Sequence, residues 1–535
     1  MVQKKLPTIN SAHGSETRNI INELIKLFNG MGYTYNESLL KAHKVLKEAE
    51  RINKLNNNTN IRLDKIIADS GTSSTEVVDA RGGHEVLSNR LDKYDYLVSR
   101  PMLNNGQIIL PSDFPELPFN IYRKDKYNYV HDATPYNQFD WSVATEVFIT
   151  ARRNSNYNGE SIYQPIDTYT FGQKLSNGDY GSQDSFIFTI VDNIYDSSNS
   201  LGVAGVKNLL IRSKSISGKT IVSAFKKIGE KASSWIADSG VYSTTLTDGT
   251  THAIHDVINT VKTDGYGMRS IYTKLDTLTA VQNEKGTFYQ SGKKIYCNPH
   301  TSERIEQLTP STTINLFVPR DEHEIIMFED IVMPNITPKF DYVNGVNAIY
   351  FFRCGFLRGL GQDAFSISGG KYNVYLLDCV SAYATKDGFN YHTTNSDSLA
   401  VEVNCVAYGA GLHKRMGNTT THSNNGSTAH DGMNMLRVGS HYWDCEGPPV
   451  ADVNDCYSIS IGVKVGNILE TTTGYRDAFH LSAESGESFK PKYVIESEAY
   501  GKNILRGINA LQGNAYYMDF TGNTNIVNAY ELEEW

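Results

Sequence analysis

Apolar residues recur at alternating steps of three and four between residues 39 and 67. This spacing predicts a coiled-coil stem of about four heptads, which we assign to residues 36–70. Three successive asparagines in the seam lower its stability and can fix register and oligomer state. We expect three strands, although two also fit; alternatively, the helix ends near Asn56 and NNNTN is a loop. The seam positions are Leu39, Ala42, Leu46, Ala49, Asn53, Asn56, Asn60, Leu63 and Ile67.

A shorter amphipathic pattern precedes the stem. Ser15 is placed to cap a helix and Gly30 to end it. Because a short helix with one apolar stripe needs a partner surface, residues 1–35 are predicted to anchor the chain to a larger assembly. Residues 71–142 open with a Ser/Thr/Gly hinge and are predicted to be a linker and connecting region. The stripe consists of Ile21, Leu24, Ile25 and Phe28.

The pattern changes near residue 143 to short β-branched and aromatic runs broken by Gly, Asn and Asp. Examples are ATEVFITA, SFIFTIVDN and NLLIRSKS. Such runs at short spacing predict an all-β architecture. The runs alone leave two kinds of fold open, a sandwich and a solenoid.

A repeat of about 25 residues favours the solenoid. Four cysteines follow one another at intervals of 25, 26 and 51 residues, the last being two steps, and Asp–small–apolar triplets keep the same register. We therefore predict a parallel β-helix over residues 143–510, with core coils at 340–510 and a cap at 511–535. The cysteines are expected to stack as an internal ladder. They are Cys354, Cys379, Cys405 and Cys456, and the triplets begin at Asp363, Asp387, Asp431 and Asp477.

Charge, hydropathy and cysteine spacing argue against several classes of function. The net charge of the 535 residues is -9, which argues against an extended nucleic-acid footprint. No stretch approaches the roughly 18 apolar residues of a membrane span. The start, MVQKKLPTIN, has no apolar core behind its lysines and is not expected to be a signal peptide, so we expect synthesis in a cytoplasm. The six cysteines lack the close pairs of a metal or disulfide site, and no cofactor is expected.

Acidic and histidine side chains are concentrated between residues 387 and 480. Glycan hydrolysis needs one carboxylic acid and a second carboxylate, and Asp387 and Asp431 are our first pair because both open the repeat triplet. Asp452 is the reserve, and His430 is suited to tune or replace an acid near neutral pH. Alternatively, these aspartates cap turns at the corners of the repeat. The histidines are His392, His413, His422, His430, His441 and His480.

The same segment carries candidate substrate contacts. The planar guanidinium of Arg437 would hold a phosphate or carboxylate on an anionic polymer. Sugar rings present apolar faces that pack on aromatic side chains, and the competing role of such rings is to fill the core. The candidates are Arg437, Tyr391, His392, His413, Tyr442 and Trp443, and no residue is proposed to bind a metal.

The helical stem, the linker VVDARGGHEVLSNRLD and the motifs STAHDG and GPPVADV together resemble tail-fibre and baseplate proteins of phages that infect Gram-positive bacteria. The resemblance implies a right-handed, pectate-lyase-like β-helix that forms a homotrimer. It also implies that the N-terminal helices contact phage tail or baseplate proteins. The expected location is the virion tail, and the expected ligand is a bacterial cell-wall glycan such as wall teichoic acid.

Two hypotheses of function follow. In the first, the chain is a tail fibre that adheres to a cell-surface glycan without turnover. In the second, it is a tailspike depolymerase that cuts the polymer while binding it. A secreted pectate lyase is disfavoured by the stem and by the absence of a signal peptide.

Overall fold

The structure is a computed structural model. The predicted anchor helix, the coiled-coil stem and its trimer, and the linker as far as residue 99 lie outside the described residues. Pro101–Trp535 belong to one compact unit. The structure describes residues 100–150, 157–192, 204–214, 220–221, 225–227, 235–245, 253–261, 268–300, 308–313, 323–334, 339–341, 346, 348–357, 363–393, 395–411, 424–469, 476–482, 490–511, 515–523 and 525–532.

Three parallel sheets, A, B and C, confirm the predicted mainly β class and parallel β-helix. From Ile325 onward, each coil contributes a strand to sheet A, then to B, then to C, with gaps where residues are not described. Sheet A contains β5 (Thr145–Ile149), β6 (Ser185–Ile190), β7 (Asn208–Ser213), β18 (Ile325–Glu329), β21 (Ala348–Phe352), β24 (Asn373–Leu377), β27 (Leu399–Val403), β30 (Asn434–Val438), β33 (Tyr457–Ile461), β36 (Lys492–Ile495), β39 (Ala515–Met518) and β42 (Ala529–Glu531).

Sheets B and C complete the coils. Sheet B contains β8 (Thr220–Ile221), β19 (Ile331–Pro334), β22 (Gly355–Leu357), β25 (Val380–Ala382), β28 (Val406–Tyr408), β31 (His441–Trp443), β34 (Lys464–Val465), β37 (Glu498–Ala499) and β40 (Thr521–Gly522). Sheet C contains β20 (Lys339–Asp341), β23 (Phe365–Ser368), β26 (Phe389–Tyr391), β29 (Ser427–Ala429), β32 (Val450–Asp452), β35 (Asp477–Leu481), β38 (Arg506–Ala510) and β41 (Ile526–Val527). Strands of all three sheets continue beyond residue 510, where we predicted a cap.

A mainly antiparallel insertion lies between β8 and β18 in the chain. Its strands form two further sheets, and a short helix, α3 (Leu278–Asn283), follows β14. The strands are β9 (Phe225–Lys227), β10 (Ile236–Asp238), β11 (Val241–Thr245), β12 (Ala253–Val261), β13 (Met268–Ile271), β14 (Thr273–Lys274), β15 (Thr287–Ser291), β16 (Lys294–Asn298) and β17 (Leu308–Thr313). Helix α2 (Thr168–Ser176) lies between β5 and β6.

Part of the predicted connecting region is an antiparallel sheet that covers the outer face of sheet A. Phe119 packs on Tyr375 and Phe114 on Tyr457, with ring centroids 5.6 and 5.1 Å apart. Sheet A is therefore buried on both faces, which explains continuous apolar runs such as AIYFF. The covering segment contains β1 (Met102–Asn104), β2 (Gln107–Ile109), β3 (Ile121–Asp125), β4 (Asn128–His131), α1 (Pro135–Gln138) and a 3-10 turn (Trp141–Val143).

The cysteine ladder is confirmed for three of its four members. Cys354, Cys379 and Cys405 occupy equivalent corners between sheets A and B, and the thiols of Cys379 and Cys405 each lie 3.3 Å from a carbonyl of the preceding coil. Ser440 holds the next corner, where its hydroxyl accepts the backbone N–H of Cys405. Cys456 instead precedes β33. Its place in the ladder was wrong because the coil from Cys405 to Ser440 is longer than its neighbours.

Candidate functional site

A polar groove of about 430 Å³ runs along the outer face of sheet C. Asn390, Thr428, Ala451 and His480 lie in one row across its floor because they are register partners on successive strands. The groove spans five coils, and four strand spacings of ~4.8 Å make it about 19 Å long. Its lining residues are Asp363, Lys386, Asp387, Asn390, His392, Asn424, Asn425, Thr428, His430, Pro448, Ala451, Val453 and His480.

Two aspartates occupy equivalent corners before sheet C in neighbouring coils. The backbone N–H of Asp387 donates to Oδ1 of Asp363 over 3.2 Å, and Asn390 donates its side-chain N–H to Oδ2 over 3.0 Å. Oδ1 of Asp387 in turn accepts the backbone N–H of Asn425 over 2.7 Å. A Cβ at Gly388 would lie 2.5 Å from a backbone oxygen of the next coil, so the residue after Asp387 must be glycine. The Asp-small-apolar triplets that begin at Asp363 and Asp387 are thus corners that place a carboxyl in the groove.

The environment of the pair favours one proton on Asp387. Burial raises the pKa of Asp387 well above its ordinary value, and the charge of Asp363 raises it further against the opposing effect of Asn425. Burial also raises the pKa of Asp363, while two donated hydrogen bonds oppose the rise. Because two carboxylates in neighbouring coils resist joint ionisation, the pair favours a state in which Asp387 carries the proton and Asp363 the charge.

Two histidines lie at the other edge of the groove. The rings of His392 and His430 are stacked with centroids 4.1 Å apart and planes 7° apart. Burial, followed by the charge of His392, lowers the pKa of His430 to about 4. The ring of His430 therefore favours its neutral form, and its role in tuning or replacing an acid near neutral pH stays a prediction. Its neutral ring can still accept or donate one hydrogen bond.

Asp431 does not share the corner of Asp387. It follows β29, six residues after Asn425, which is the positional equivalent of Asp387 in that coil. At ~3.3 Å per residue, this offset places the two carboxylates up to about 20 Å apart along the strand direction. Glycosidase pairs are separated by roughly 5–9.5 Å. The premise that Asp387 and Asp431 open the same corner of the repeat was wrong, because the DGM triplet repeats the letters of the corner without its register.

Asp431 instead shapes a turn beside the groove. Its φ of 54° lies in the left-handed region, which Asp tolerates better than most residues. Its carboxylate accepts hydrogen bonds from Asn454 over 2.6 Å and from His392 over 3.2 Å. Partial burial opposes ionisation, but these two hydrogen bonds outweigh it and lower the pKa of Asp431. The turn-capping alternative fits this residue.

Arg437 and Asp452 form an ion pair inside the solenoid. The guanidinium of Arg437 lies 2.9 Å from one carboxylate oxygen of Asp452 and donates to the other over 3.0 Å. The side chains are 0% and 1% exposed. The predictions that Arg437 contacts a polymer and that Asp452 is a reserve acid are therefore wrong, because both side chains point into the core.

Tyr391 and Tyr442 are also interior residues. Both hydroxyls donate to the buried carboxylate of Glu402, over 3.0 and 2.5 Å. Ser427 donates to the same carboxylate over 2.6 Å and accepts Nε–H of Arg437 over 2.8 Å. The core-filling alternative is correct for both tyrosines. Tyr391 follows the groove residue Asn390 on β26, and Tyr442 lies between His441 and Trp443 on β31. No sequence signal pointed to Glu402.

The remaining candidates divide between three places. His392 lines the groove, Trp443 lies on the outer face of sheet B, and His413 lies outside the described residues. Asp363 was visible in the sequence as the first DAF triplet but was not chosen. Asn425 carried no such signal, because its coil replaces the aspartate of the triplet with asparagine.

Within the described ranges, no group of three or more His, Cys, Asp and Glu side chains is arranged to hold a metal ion. None of the helices in the described part of the chain combines the length and apolarity needed to cross a bilayer.

No protein-family model and no curated protein matches the sequence. Among solved structures, the chain is similar to a glycoside hydrolase at 10% identity and a TM-score of 0.45, covering 72% of this chain and 96% of that one. It is similar to the pectate lyase Pel9A at 11% identity and a TM-score of 0.31, with 70% and 79% covered. It is also similar to the tailspike protein gp49 from Pseudomonas phage LKA1 at 8% identity and a TM-score of 0.15, with 68% and 76% covered.

Proposed function

We propose that this chain is a phage tail-fibre or tailspike subunit that binds a cell-surface polysaccharide in the groove of sheet C and hydrolyses it. The observation that carries the proposal is the carboxyl of Asp387, which is buried in the groove beside Asp363, so that burial and the neighbouring charge raise its pKa well above the ordinary value. Glycoside hydrolysis requires a carboxylic acid with a raised pKa to protonate the leaving oxygen.

The shape and lining of the groove suit a polymer. An opening about 19 Å long admits a chain of several sugars rather than one small molecule. The side chains of Asn390, Asn424, Asn425 and His480 offer donors and acceptors that match saccharide hydroxyls. Lys386 adds a cation at the same edge, which favours a polymer that carries some negative charge.

Asp363 is the second carboxylate of the proposed reaction. Equivalent positions in neighbouring coils lie ~4.8 Å apart, closer to the ~5–5.5 Å of retaining glycosidases than to the ~6.5–9.5 Å of inverting ones. Asp387 gives its proton to the glycosidic oxygen while an oxygen of Asp363 bonds to the anomeric carbon. Water, deprotonated by Asp387, then releases the sugar from Asp363 and restores both groups.

The virion setting rests on the resemblance of the linker and of the STAHDG and GPPVADV motifs to phage tail proteins. Within this proposal, the N-terminal helices join the chain to tail or baseplate proteins, and the stem forms the homotrimer. The proposed ligand is a cell-surface glycan of a Gram-positive bacterium, such as a wall polysaccharide or wall teichoic acid. In teichoic acid the glycosidic step applies to the attached sugars, because phosphodiesters join its backbone.

Adhesion without turnover is the second candidate function. One specific observation favours it: the carboxylates of Asp363 and Asp387 each accept a backbone N–H from the following coil, as turn caps do. In that case the groove binds the polymer, and the two aspartates stabilise the turns that form one side of the groove.

Product analysis separates the two functions. The full-length protein is incubated with purified wall teichoic acid and, separately, with capsular polysaccharide, and the products are sized by chromatography. Fragments released by the wild-type protein support hydrolysis. A polymer that binds without shortening would overturn hydrolysis in favour of adhesion, and a polymer that neither binds nor shortens would count against both.

A further inference from the structure

Five aromatic side chains form a continuous strip on the outer face of sheet B, which we call the aromatic strip. The rings of Tyr408 and Trp443 are stacked, with centroids 5.0 Å apart and planes 9° apart. Tyr383 packs edge-on against Tyr408 at 5.1 Å, and His441 lies 4.3 Å from Trp443. Tyr500 extends the strip through a ring contact and a hydrogen bond to His441.

Strand register explains why the rings line up. Ala382, Tyr408 and Trp443 are register partners on β25, β28 and β31, so their side chains share one outer row. The next coil has Gly466 in this row. A Cβ there would lie within 2.6 Å of the ring of Tyr500, which occupies that space instead. The strip therefore crosses four strand spacings, about 19 Å.

The strip is accessible, unlike the start of the same sheet. The outer residues Val332, Leu357 and Ala382 are fully buried, whereas the rings from Tyr383 onward are half-buried and Tyr500 is 36% exposed. Aromatic rings with polar tips provide an apolar surface and hydrogen-bonding groups together, which suits ligands with both apolar faces and hydroxyls.

The strip also adjoins the groove. The chain passes from Tyr383 to Asp387 in four residues and from Trp443 to Pro448 in five, and both end points line the groove. The two surfaces therefore meet along the corner between sheets B and C over several shared coils.

We infer that the aromatic strip is a second binding site for a polysaccharide chain, which packs the apolar faces of its sugars on Trp443 and its neighbours. This inference rests on the proposed function of the groove, because one long polymer would contact both surfaces around the corner. Five half-buried rings offer far less area than the ~800 Å² per partner of a stable protein interface. We therefore favour a polymer over a second copy of the chain.

The test measures the affinity for long wall teichoic acid of the wild-type protein and of the full-length variants Trp443→Ala and Tyr408→Ala. Each variant is expected to bind about two- to tenfold more weakly, since one aromatic contact contributes roughly 0.5–1.5 kcal/mol. Trp443→Tyr should retain most of the affinity. Tyr163→Ala is the matched control, because Tyr163 is 82% exposed and lies in neither surface. Circular dichroism and thermal unfolding check that each variant is folded.

Groove variants distinguish failure of the strip from failure of the groove. Unchanged affinity in both strip variants, with weaker binding by Asn390→Ala and His480→Ala, would overturn the strip and leave the groove. The reverse pattern would support the strip and overturn the groove. A fall in molar mass of the strip variants by light scattering, with polymer affinity unchanged, would assign the strip to contact between copies. Wild-type protein that binds no polymer would overturn both sites.

Discussion

The backbone N–H of Asp387 donates a 3.2 Å hydrogen bond to the carboxylate of Asp363 in the preceding coil. The bond joins the two corners of the β-helix that place carboxyl groups in the groove. It also favours the ionised form of Asp363, whose charge raises the pKa of Asp387 beyond the effect of burial. One contact thus supports both the turn and the proposed acid, and a substitution that preserves the shape of the side chain can separate the two.

Asp387→Asn should reduce release of polymer fragments at least ~100-fold, because an amide cannot transfer the proton that general acid catalysis supplies. Binding should persist, since Asn keeps an oxygen that can accept the N–H of Asn425. Product sizing and a sedimentation assay with cell walls measure the two effects.

Asp431→Asn is the matched control, because Asp431 lies at the opposite edge of the groove. It should change fragment release less than about threefold. Equal losses in the two variants would contradict the assignment of the acid to Asp387.

Hydrolysis should fall as the pH rises through the raised pKa of Asp387, because the acid must be protonated to act. The same shift affects stability. Since the folded pKa exceeds the unfolded value, the stabilising contribution of protonated Asp387 is complete below about pH 4 and is lost as the pH rises through the folded pKa. The melting temperature of Asp387→Asn relative to wild type should therefore increase with pH. A difference that is constant from pH 4 to 9 would contradict the raised pKa.

Asp452→Ala should lower the free energy of unfolding by ~3–5 kcal/mol, because it leaves the buried guanidinium of Arg437 without its partner. The double variant Arg437→Met, Asp452→Leu should recover much of this loss, since it removes both members of the buried ion pair. Urea unfolding measures both effects. Asp431→Ala serves as the comparison, because Asp431 is partly exposed. If Asp452→Ala lowered the free energy of unfolding no more than Asp431→Ala does, the buried ion pair would be contradicted.

Native protein should resist thiol reagents at Cys354, Cys379 and Cys405, which are buried in the ladder. Burial also raises the pKa of the Cys379 and Cys405 thiols, which removes the reactive thiolate. Labelling with a coloured disulfide reagent, before and after addition of denaturant, checks this expectation. Rapid labelling of the native ladder would contradict the coil register.

The predicted stem should make the full-length protein a stable trimer, and deletion of residues 1–70 should weaken the assembly, because the seam of apolar residues is removed. Light scattering at micromolar concentration measures the mass of both proteins. A monomeric full-length protein would contradict the stem.

The sequence by itself determined the kind of fold. Each coil adds a similar length of chain and places a small residue at a similar corner, so spacing alone indicated a parallel β-helix. Three ladder cysteines and Asp387 were found this way, because local corner geometry requires particular residue types at particular steps. Asp363 was available from the same triplet pattern.

Only the tertiary structure decided which candidates share a surface. The longer coil between Cys405 and Ser440 shifts every later position, so Cys456 and Asp431 fell into other registers than their spacing implied. Neighbours on a strand point to opposite faces, so Asn390 lines the groove while Tyr391 reaches Glu402 in the core. Inward and outward positions depend on strand bounds and on the covering of each sheet. Those are set by contacts between distant residues, and a one-dimensional pattern does not contain them.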